Sequence, residues 1–406
     1  MKAERAFPYA VVTVKQASTL KKGHPWVYED EIIEQSAAIA DGEITDVFSE
    51  KGKYLGTGLY SGASKIRIRI LDRNANEKFD DSFFVRRVRY ALNYRYDVMD
   101  ETGSMRLVHG EADGLCGLTV DKYEDILVSE VLSFGMEQRK DIIYRALIEG
   151  LKEKGCIVRG IYERNESPLR KKEGLNEEKG WYDFGLPIPE SSKLLITENG
   201  IRYEIDVESG QKTGFFLDQK YNRRIAAQIS KGKTVLDTCT HIGSFALNAA
   251  KNGAAHVTAA DISAAAIACA KENAVLNHLQ DSMDFVVSDV FELLEGLKKN
   301  GSPYDVIILD PPAFTKSRRT MAAARAGYQR INRLAMSVLP RGGYLMTASC
   351  SHFMPKELFE KMLCDASEEA GVSLRLVERR GAAMDHPVSP VIPETEYLKF
   401  YVLQIV

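Results

Sequence analysis

Four acidic residues and one cysteine stand directly after predicted β-strands in the C-terminal half of the chain. They are Asp237, Asp261, Asp289, Asp310 and Cys350. In a doubly wound sheet, ligands bind at the carboxyl ends of the strands, near the point where the strand order reverses. One acid at a strand end is more often a helix cap than a ligand. A series of such acids around one crevice instead predicts a binding site for a nucleoside.

The chemistry of two of these acids suits the parts of a nucleoside ligand. Asp261 can accept hydrogen bonds from both ribose hydroxyls, and Asp289 can accept one from the exocyclic amine of adenine. The turn after Asp237 is a weak form of a glycine-rich nucleotide turn, because Gly243 alone stands where glycine is expected. The alternatives are a plain tight turn at Gly243 and helix N-caps at Asp261 and Asp289.

The fourth strand ends in Asp310-Pro311-Pro312-Ala313-Phe314. Two prolines after a buried strand make a stiff turn that lacks amide donors. Such a turn can hold a flat ring against its backbone. Together with Asp310 and Phe314, it predicts a pocket for a planar base. The alternative is an ordinary proline stop at the end of the strand.

Cys350 follows the fifth strand and lies within a segment, residues 311–356, that contains no Asp or Glu. The cationic residues of this segment are Lys316, Arg318, Arg319, Arg325, Arg330, Arg333, Arg341 and Lys356. Positive surroundings favour the thiolate, which is the nucleophilic form of cysteine. The segment also suggests an anionic partner. The alternatives are a buried structural thiol and a basic helix face that is merely solvated.

Hydrophobic patterns divide the chain into three predicted domains. Residues 1–75 contain short strands with turn residues between them and predict a β-rich module. Residues 76–192 mix helices and strands, and the polar run 163–180 is predicted to be a loop. Residues 193–406 alternate strand and helix, which predicts an α/β fold with a doubly wound, mostly parallel sheet. The two closing strands, without a helix between them, predict an antiparallel strand in that sheet.

Composition excludes several classes of protein. No apolar run in the 406 residues approaches the roughly 20 that span a bilayer. The N-terminus has no apolar h-region and no cleavage site, so we expect no signal peptide and no membrane partner. The six cysteines form no CxxC pair and no zinc-ligand spacing, which predicts reduced thiols, no metal and a cytoplasmic location. A net charge of −3 does not itself indicate a nucleic-acid partner.

Several motifs together resemble a known family. It consists of S-adenosylmethionine-dependent 23S ribosomal RNA methyltransferases that form 5-methylcytosine and carry an N-terminal PUA domain. The matching segments are LKKGHPWVYEDEI, RLVHGEADGLCGLTVDKYEDILVSEVLS, GQKTGFFLDQKYNR (residues 210–223), YDVIILDPPAF and TASCS. The likeness covers nearly the whole chain. The sequence departs from the family at His241, Ile242 and Ser244, which leaves the contacts of that turn open.

The resemblance implies a PUA-like domain, a central α+β domain and a Rossmann-like class I methyltransferase domain. Asp237 and Gly243 would line the methionine end of S-adenosylmethionine, Asp261 its ribose and Asp289 its adenine. The other residues expected at the cofactor are Lys212, Thr213, Phe216, Asp218 and Pro311. The residues expected at 23S ribosomal RNA are Pro312, Phe314, Lys316, Arg318 and Arg319. The family also allows a homodimer, on which no sequence pattern bears.

The resemblance also implies a mechanism, in which Cys350 attacks C6 of cytosine and Asp310 hydrogen-bonds the edge of the base. Some RNA cytosine methyltransferases have a second cysteine at the position of Ala313 and use it to release the product. Here the product would have to be released with Cys350 alone. The base that removes the C5 proton is left open between His352 and water. Two other functions remain: methylation of a base nitrogen of guanine or adenine, and a non-catalytic RNA-binding role in ribosome assembly.

Overall fold

The computed structural model describes residues 7–185, 187–314 and 320–406. The chain folds into two compact units, each built from separate stretches of sequence. The first unit contains the residues up to Leu194, Ile205–Leu217 and Met384–Thr395. The second unit contains Leu195–Glu204, Asp218–Ala383 and Glu396–Val406. In the described ranges, no helix combines the length and the apolar character needed to cross a membrane.

The N-terminal part of the first unit is a six-stranded sheet with one helix. Its elements are β1 (Tyr9–Val12), α1 (Val14–Lys21), β2 (Trp26–Tyr28), β3 (Ile32–Gln35), β4 (Ile44–Ser49), β5 (Tyr54–Tyr60) and β6 (Ile66–Asp72). The strands lie in the order β2-β6-β5-β4-β1-β3. Val12, Val27, Val47 and Ile68 are fully buried in its core, as expected for β-branched side chains on one face of a sheet. The predicted β-rich module is confirmed.

The rest of the first unit is an α+β arrangement. Its elements are α2 (Asp81–Val98), β7 (Ser104–His109), β8 (Leu118–Tyr123), β9 (Ile126–Val131), α3 (Phe134–Glu137), α4 (Lys140–Glu153), β10 (Gly160–Asn165), α5 (Leu169–Lys172) and β11 (Glu178–Trp181). The sheet order is β11-β10-β9-β8-β7, with β9 and β10 parallel. Helix α2 packs on α4 through apolar faces that include the buried residues Phe84, Leu92 and Leu147.

The predicted loop over residues 163–180 is wrong in part. This run contains the end of β10, the short helix α5 and most of β11, which pairs antiparallel with β10 at the edge of the sheet. Glu178 and Lys179 of β11 are exposed. An edge strand is covered on one side only, so polar and charged residues are common there. Polarity alone therefore does not separate such a strand from a loop.

The second unit begins with a hairpin and continues into a large sheet. The hairpin strands, β12 (Lys193–Glu198) and β13 (Ile201–Asp206), meet at Asn199 and Gly200, which both have positive φ, as a type I′ turn requires. The other strands are β14 (Thr234–Asp237), β15 (His256–Asp261), β16 (Met283–Val287), β17 (Val306–Leu309), β18 (Tyr344–Ser349), β19 (Leu374–Arg380) and β20 (Lys399–Ile405). The helices are α6 (Lys220–Ser230), α7 (Ser244–Lys251), α8 (Ala264–Leu276), α9 (Val290–Asn300), α10 (Met321–Val338) and α11 (Lys356–Ala370).

The large sheet has seven strands in the order β16-β15-β14-β17-β18-β20-β19. Strands β14, β15, β16, β17 and β18 run parallel to one another, and β20 runs antiparallel between β18 and β19. The predicted α/β fold and its antiparallel closing strand are confirmed. The strand order reverses between β14 and β17, where Asp237 pairs with Ile308. In sheets of this type, ligands bind at the carboxyl ends of the strands beside such a reversal.

A buried ion pair in the second unit gives a test of its stability. Arg223 donates two hydrogen bonds to Glu198, at 2.6 and 2.9 Å, and both side chains are at most 1% exposed. We expect Arg223→Met to lower the free energy of unfolding by about 3–5 kcal/mol, because it leaves Glu198 buried without its counterion. Urea denaturation measures the change.

The exposed pair of Arg330 and Glu295, at 2.7 Å, is the matched control. Arg330→Met is expected to change the free energy of unfolding by about 1 kcal/mol or less, since solvent screens exposed pairs. The double variant Glu198→Leu with Arg223→Met should recover much of the loss. Equal effects of the two arginine substitutions would contradict the assignment.

Candidate functional site

Strand β14 ends at Asp237, and a tight turn then leads into α7. Oδ2 of Asp237 accepts hydrogen bonds from Oγ1 of Thr240 at 2.7 Å and from the amide of Ala246 at 3.1 Å. The turn ends at Gly243, where φ is +89° and a Cβ would lie 3.2 Å from Cδ1 of Leu247. Glycine is favoured at such a conformation, so the loop can pass close to Asp237.

Asp261, at the end of β15, is held by two backbone amides. Its Oδ2 accepts a hydrogen bond from His241 N, and its Oδ1 accepts one from Ser263 N, both at 2.9 Å. The helix-cap alternative does not hold for Asp261, because Ser263 is the N-cap of α8 and accepts from Ala266 N. The two amides fix the direction of a half-buried carboxylate at the crevice.

Asp289 follows β16 and is the N-cap of α9. Its Oδ1 accepts hydrogen bonds from Phe291 N at 2.8 Å and from Glu292 N at 3.2 Å. The helix-cap alternative therefore holds for this residue. Within the described ranges, no hydrogen bond reaches its Oδ2, so capping uses one oxygen and leaves the other for a ligand.

Asp310 follows β17 and is oriented by a chain of hydrogen bonds from α6. Nε2 of Gln219 donates to Oδ2 of Asp310 at 3.0 Å. Asn222 donates to Oε1 of Gln219 at 2.6 Å, which fixes the orientation of that amide. Asn222 is held in turn by Gly381 O and by Nε of Arg380, each at 3.1 Å. Asp310 is thus fixed by a buried relay that sequence reasoning missed.

Burial changes the acidity of the carboxyl groups on both sides of the strand reversal. Burial raises the pKa of Asp310 to about 7, and the charges of Asp218 and Asp237 raise it further. The hydrogen bond from Gln219 and the charge of Arg223 oppose this rise. Burial likewise raises the pKa of Asp237 to about 7. Each carboxyl group is therefore protonated in a substantial fraction of molecules at neutral pH.

Asp218 belongs to the second unit and connects two distant parts of it. Its Oδ2 accepts a hydrogen bond from Tyr397 Oη at 2.6 Å. Its backbone carbonyl accepts one from Ala383 N at 2.8 Å. The charge of Asp218 also raises the pKa of Asp310, which puts it beside the predicted site.

Lys212, Thr213 and Phe216 belong to the first unit. Oγ1 of Thr213 donates to Oδ2 of Asp121 at 2.6 Å and lies 2.8 Å from Oη of Tyr123. The buried Thr213 hydroxyl is thus engaged within that unit, and Lys212 has a positive φ of 55°. The cofactor role of these three residues stays a prediction.

The turn after Asp310 places its residues at different depths. Pro311 is buried, Pro312 is exposed and Phe314 is half-buried. The ring of Phe314 lies 4.5 Å from that of Tyr328, centroid to centroid. Gly327 makes this contact possible, since a Cβ there would lie 3.2 Å from Cδ2 of Phe314. Phe314 is therefore packed on α10 through part of its ring.

The predicted basic segment is neutralised in part where the structure describes it. Lys316, Arg318 and Arg319 lie outside the described residues. Three arginines of α10 form ion pairs, which are Arg325 with Asp365 at 2.5 Å, Arg330 with Glu295 at 2.7 Å and Arg333 with Glu369 at 3.4 Å. Their partners come from α9 and α11, so the lack of acids in the local sequence does not make this helix face a free cationic surface.

Cys350 comes directly after β18 and is half-buried, unlike the fully buried Cys116. The strand end beside it is anchored by Ser349, whose Oγ donates to Oη of Tyr328 at 3.1 Å. Tyr328 thus contacts both Ser349, the last residue of β18, and Phe314, which follows the neighbouring parallel strand β17. Cys350 as a residue is therefore not fully buried.

Comparison with known proteins identifies the family. Residues 186–399 match the family described as S-adenosylmethionine-dependent methyltransferase, and residues 11–73 match a PUA-like domain. A protein named ribosomal RNA large subunit methyltransferase I from Shewanella denitrificans is 40% identical over 391 residues, covering 95% of this chain and 96% of its own. The chain belongs to this methyltransferase family. A protein of the same name from Aeromonas hydrophila is 39% identical over 398 residues, covering 97% of this chain and 98% of its own.

Two solved structures share the fold over nearly the full length. A methyltransferase from Streptococcus mutans has a TM-score of 0.81 at 22% identity, covering 98% of this chain and 99% of its own. A methyltransferase solved in complex with SAH has a TM-score of 0.82 at the same identity and coverage. This level of identity shows the fold alone. The dependence of the family on S-adenosylmethionine rests on the sequence match.

Three residues of this methyltransferase near the strand ends were missed by sequence reasoning: Gln219, Tyr397 and Lys399. Gln219 contacts Asp310, and Tyr397 contacts Asp218. Lys399 Nζ donates to the carbonyl of Ser351 at 2.6 Å. A lysine at the start of an otherwise apolar closing strand was the available signal for Lys399.

The raised pKa of Asp310 predicts a pH-dependent gain in stability for Asp310→Asn. Because the folded-state pKa of about 7 lies above the ordinary 3.8, ionisation between these values destabilises the folded wild-type protein. At pH 8 the free energy of unfolding of the variant is expected to exceed that of the wild type by on the order of 2–4 kcal/mol. The difference should vanish near pH 4. Urea denaturation at a series of pH values measures it.

Asp281→Asn provides the control, since it makes the same change at an exposed carboxylate of the second unit. Its stability relative to the wild type should be nearly independent of pH. A difference for Asp310→Asn that is the same at pH 4 and pH 8 would show that the carboxyl group titrates normally.

Proposed function

We propose that this chain methylates C5 of a cytosine in 23S ribosomal RNA through a covalent adduct with Cys350. The relatives that match it over nearly their full length are named ribosomal RNA large subunit methyltransferase I, which supports ribosomal RNA as the substrate. The observation that carries the proposal is the half-buried thiol of Cys350, at the end of the strand next to the one that Asp310 follows.

The residues at the strand ends fit S-adenosylmethionine, which when bound supplies an electrophilic methyl group on its sulfonium sulfur. Asp237 and Gly243 would line the methionine end, Asp261 would bind the ribose and Asp289 the adenine amine. Oδ1 of Asp237 is buried without a hydrogen-bond partner among the described residues, which leaves it for a ligand. The other proposed cofactor residues are Lys212, Thr213, Phe216, Asp218 and Pro311.

Cys350 is needed because C5 of cytosine is a poor carbon nucleophile. The thiolate would add to C6, forming a C–S bond and moving the electron pair of the C5–C6 double bond toward C5. C5 would then take the methyl group, and the sulfur of the cofactor would keep the electron pair of the broken S–CH3 bond and leave as a neutral thioether. A base removes the C5 proton, and the electron pair of that C–H bond re-forms the double bond and expels the thiolate. His352, which is exposed, or water would serve as the base. Ala313 offers no second thiol, so the same sulfur adds and leaves.

Asp310 would assist the addition step at the opposite edge of the base. With a pKa of about 7, its carboxyl group can hold a proton at neutral pH and share it with N3 of cytosine. Protonation at N3 draws electrons from the ring and makes C6 more electrophilic. Gln219 holds one carboxyl oxygen, so the other can face the base.

The RNA must present an unstacked cytosine, because a base within a duplex cannot reach such a pocket. Contacts to the phosphate backbone would position the strand without reading its sequence. The proposed RNA contacts are Pro312, Phe314, Lys316, Arg318 and Arg319. Residues 1–75 would form the PUA-like RNA-binding domain, 76–192 the central domain and 193–406 the catalytic domain. A cytoplasmic location and a homodimer belong to the same proposal.

Cys350→Ala tests the proposal against methylation of a base nitrogen, which needs no thiol. We expect the variant to lose methyl transfer to 23S ribosomal RNA by about 10³-fold or more, because C5 is then not activated. Binding of S-adenosylmethionine, followed by calorimetry, should be kept. Transfer of a labelled methyl group, with mass spectrometry of the RNA digest to identify 5-methylcytosine, measures the effect.

Cys364→Ala is the matched control, since Cys364 is an exposed cysteine on α11, and it should keep full activity. Substantial activity in Cys350→Ala would favour the nitrogen methyltransferase. A wild-type protein that does not bind S-adenosylmethionine would favour the non-catalytic assembly factor.

A further inference from the structure

Lys399 is a buried lysine at the end of the sheet where Cys350 lies. It begins β20, and it pairs with Ser349, the last residue of β18, in antiparallel register. Its side chain is 7% exposed, which is unusual for lysine, since burial of an ammonium group is costly unless it is compensated. The strand therefore holds a cation beside the segment that carries the thiol.

Two carbonyl groups compensate the Lys399 ammonium. Nζ donates to the carbonyl of Ser351 at 2.6 Å and to that of Tyr397 at 2.7 Å. Because Ser349 is its strand partner and Ser351 its hydrogen-bond acceptor, the lysine spans both backbone neighbours of Cys350. The ammonium is thus held next to Cys350, instead of extending into solvent as lysine normally does.

The charges around Lys399 support an interaction with the thiol. Burial lowers the pKa of Lys399 to about 8, and the negative charges of Cys350 and Glu396 oppose this fall. Glu396 is exposed, so solvent weakens its effect. From α10, Tyr328 also faces Cys350, and burial raises the pKa of Tyr328 to about 12, which keeps it neutral. His352, the remaining titratable group of this loop, is exposed.

We propose that Lys399 is a positioning residue whose ammonium group stabilises the thiolate of Cys350 and so sets the pH at which the nucleophile forms. The interaction is electrostatic and mutual. The thiolate stabilises the charged form of Lys399 by the same free energy by which the ammonium stabilises the thiolate. The role of the thiolate in cytosine methylation rests on the proposed function. The lysine–thiolate pair itself is a property of the protein without RNA.

The test is the pH dependence of alkylation of Cys350 by iodoacetamide in the full-length protein without RNA. Lys399→Gln removes the charge but keeps an amide that can donate to the two carbonyls. We expect it to move the alkylation midpoint of Cys350 up by about one pH unit and to slow alkylation at pH 7 by about 10-fold. Lys399→Arg keeps the charge and should restore most of the wild-type profile. Peptide mass spectrometry reports Cys350 and the exposed Cys364 in the same sample.

Cys364 serves as the internal reference, and its alkylation profile should be the same in all variants. An unchanged Cys350 profile in Lys399→Gln, or an equal shift in Lys399→Arg, would overturn the pairing. If Lys399→Gln does not fold, Lys399→Met takes its place. The wild-type protein also provides a test by itself: an alkylation midpoint for Cys350 that is no lower than that for Cys364 would overturn the pairing.

The outcome separates this inference from the proposed function. A shifted Cys350 profile together with a wild-type protein that makes no 5-methylcytosine would keep the lysine–thiolate pair and reject cytosine methylation. An unshifted profile with normal cytosine methylation would keep the function and reject the role of Lys399. In an active enzyme, Lys399→Gln should also move the midpoint of the acidic limb of the kcat–pH profile upward by about one pH unit.

Discussion

Two carboxyl groups lie where the order of the large sheet reverses. The buried Asp237 ends β14, and the half-buried Asp310 follows the neighbouring strand β17. Burial raises the pKa of each to about 7, so keeping both charged opposes folding. The surrounding chain compensates with directed hydrogen bonds, from Thr240 and the Ala246 amide on one side and from Gln219 on the other. The organisation of the site depends on this arrangement.

The raised pKa of Asp310 fits the proposed chemistry on a pyrimidine. A carboxyl group that holds a proton near neutral pH can donate to a ring nitrogen, whereas an ordinary aspartate can only accept. On β20, which pairs with β18, Lys399 donates a hydrogen bond to the carbonyl of Ser351, next to Cys350. An acid at one edge of a bound base and a thiolate at the other are what carbon methylation of cytosine requires. The sheet brings both to adjacent strand ends.

The α/β fold of the second unit and most positions of the candidate site could be predicted from the sequence, because strand ends follow from local hydrophobic patterns. The positions of Asp261, Asp289, Asp310 and Cys350 depend only on where each strand stops. Gln219 could not be placed in the same way, because it is 91 residues away from its partner Asp310. No local pattern reports such a contact.

Other features lay beyond sequence reasoning for different physical reasons. The edge strand β11 is polar because solvent covers one of its sides, so it reads as a loop. The arginines of α10 seem unpaired along the sequence but meet acids of α9 and α11 in the fold. Local charge counts describe the chain and not the surface that it forms.

Covalent trapping tests the central claim most directly. A 23S ribosomal RNA transcript made with 5-fluorocytidine should form a stable complex with the protein when S-adenosylmethionine is present, since fluorine at C5 cannot leave as a proton does. Peptide mapping should then find the nucleotide attached to Cys350. Methylated transcript without any trapped protein, or attachment to a different cysteine, would contradict the account.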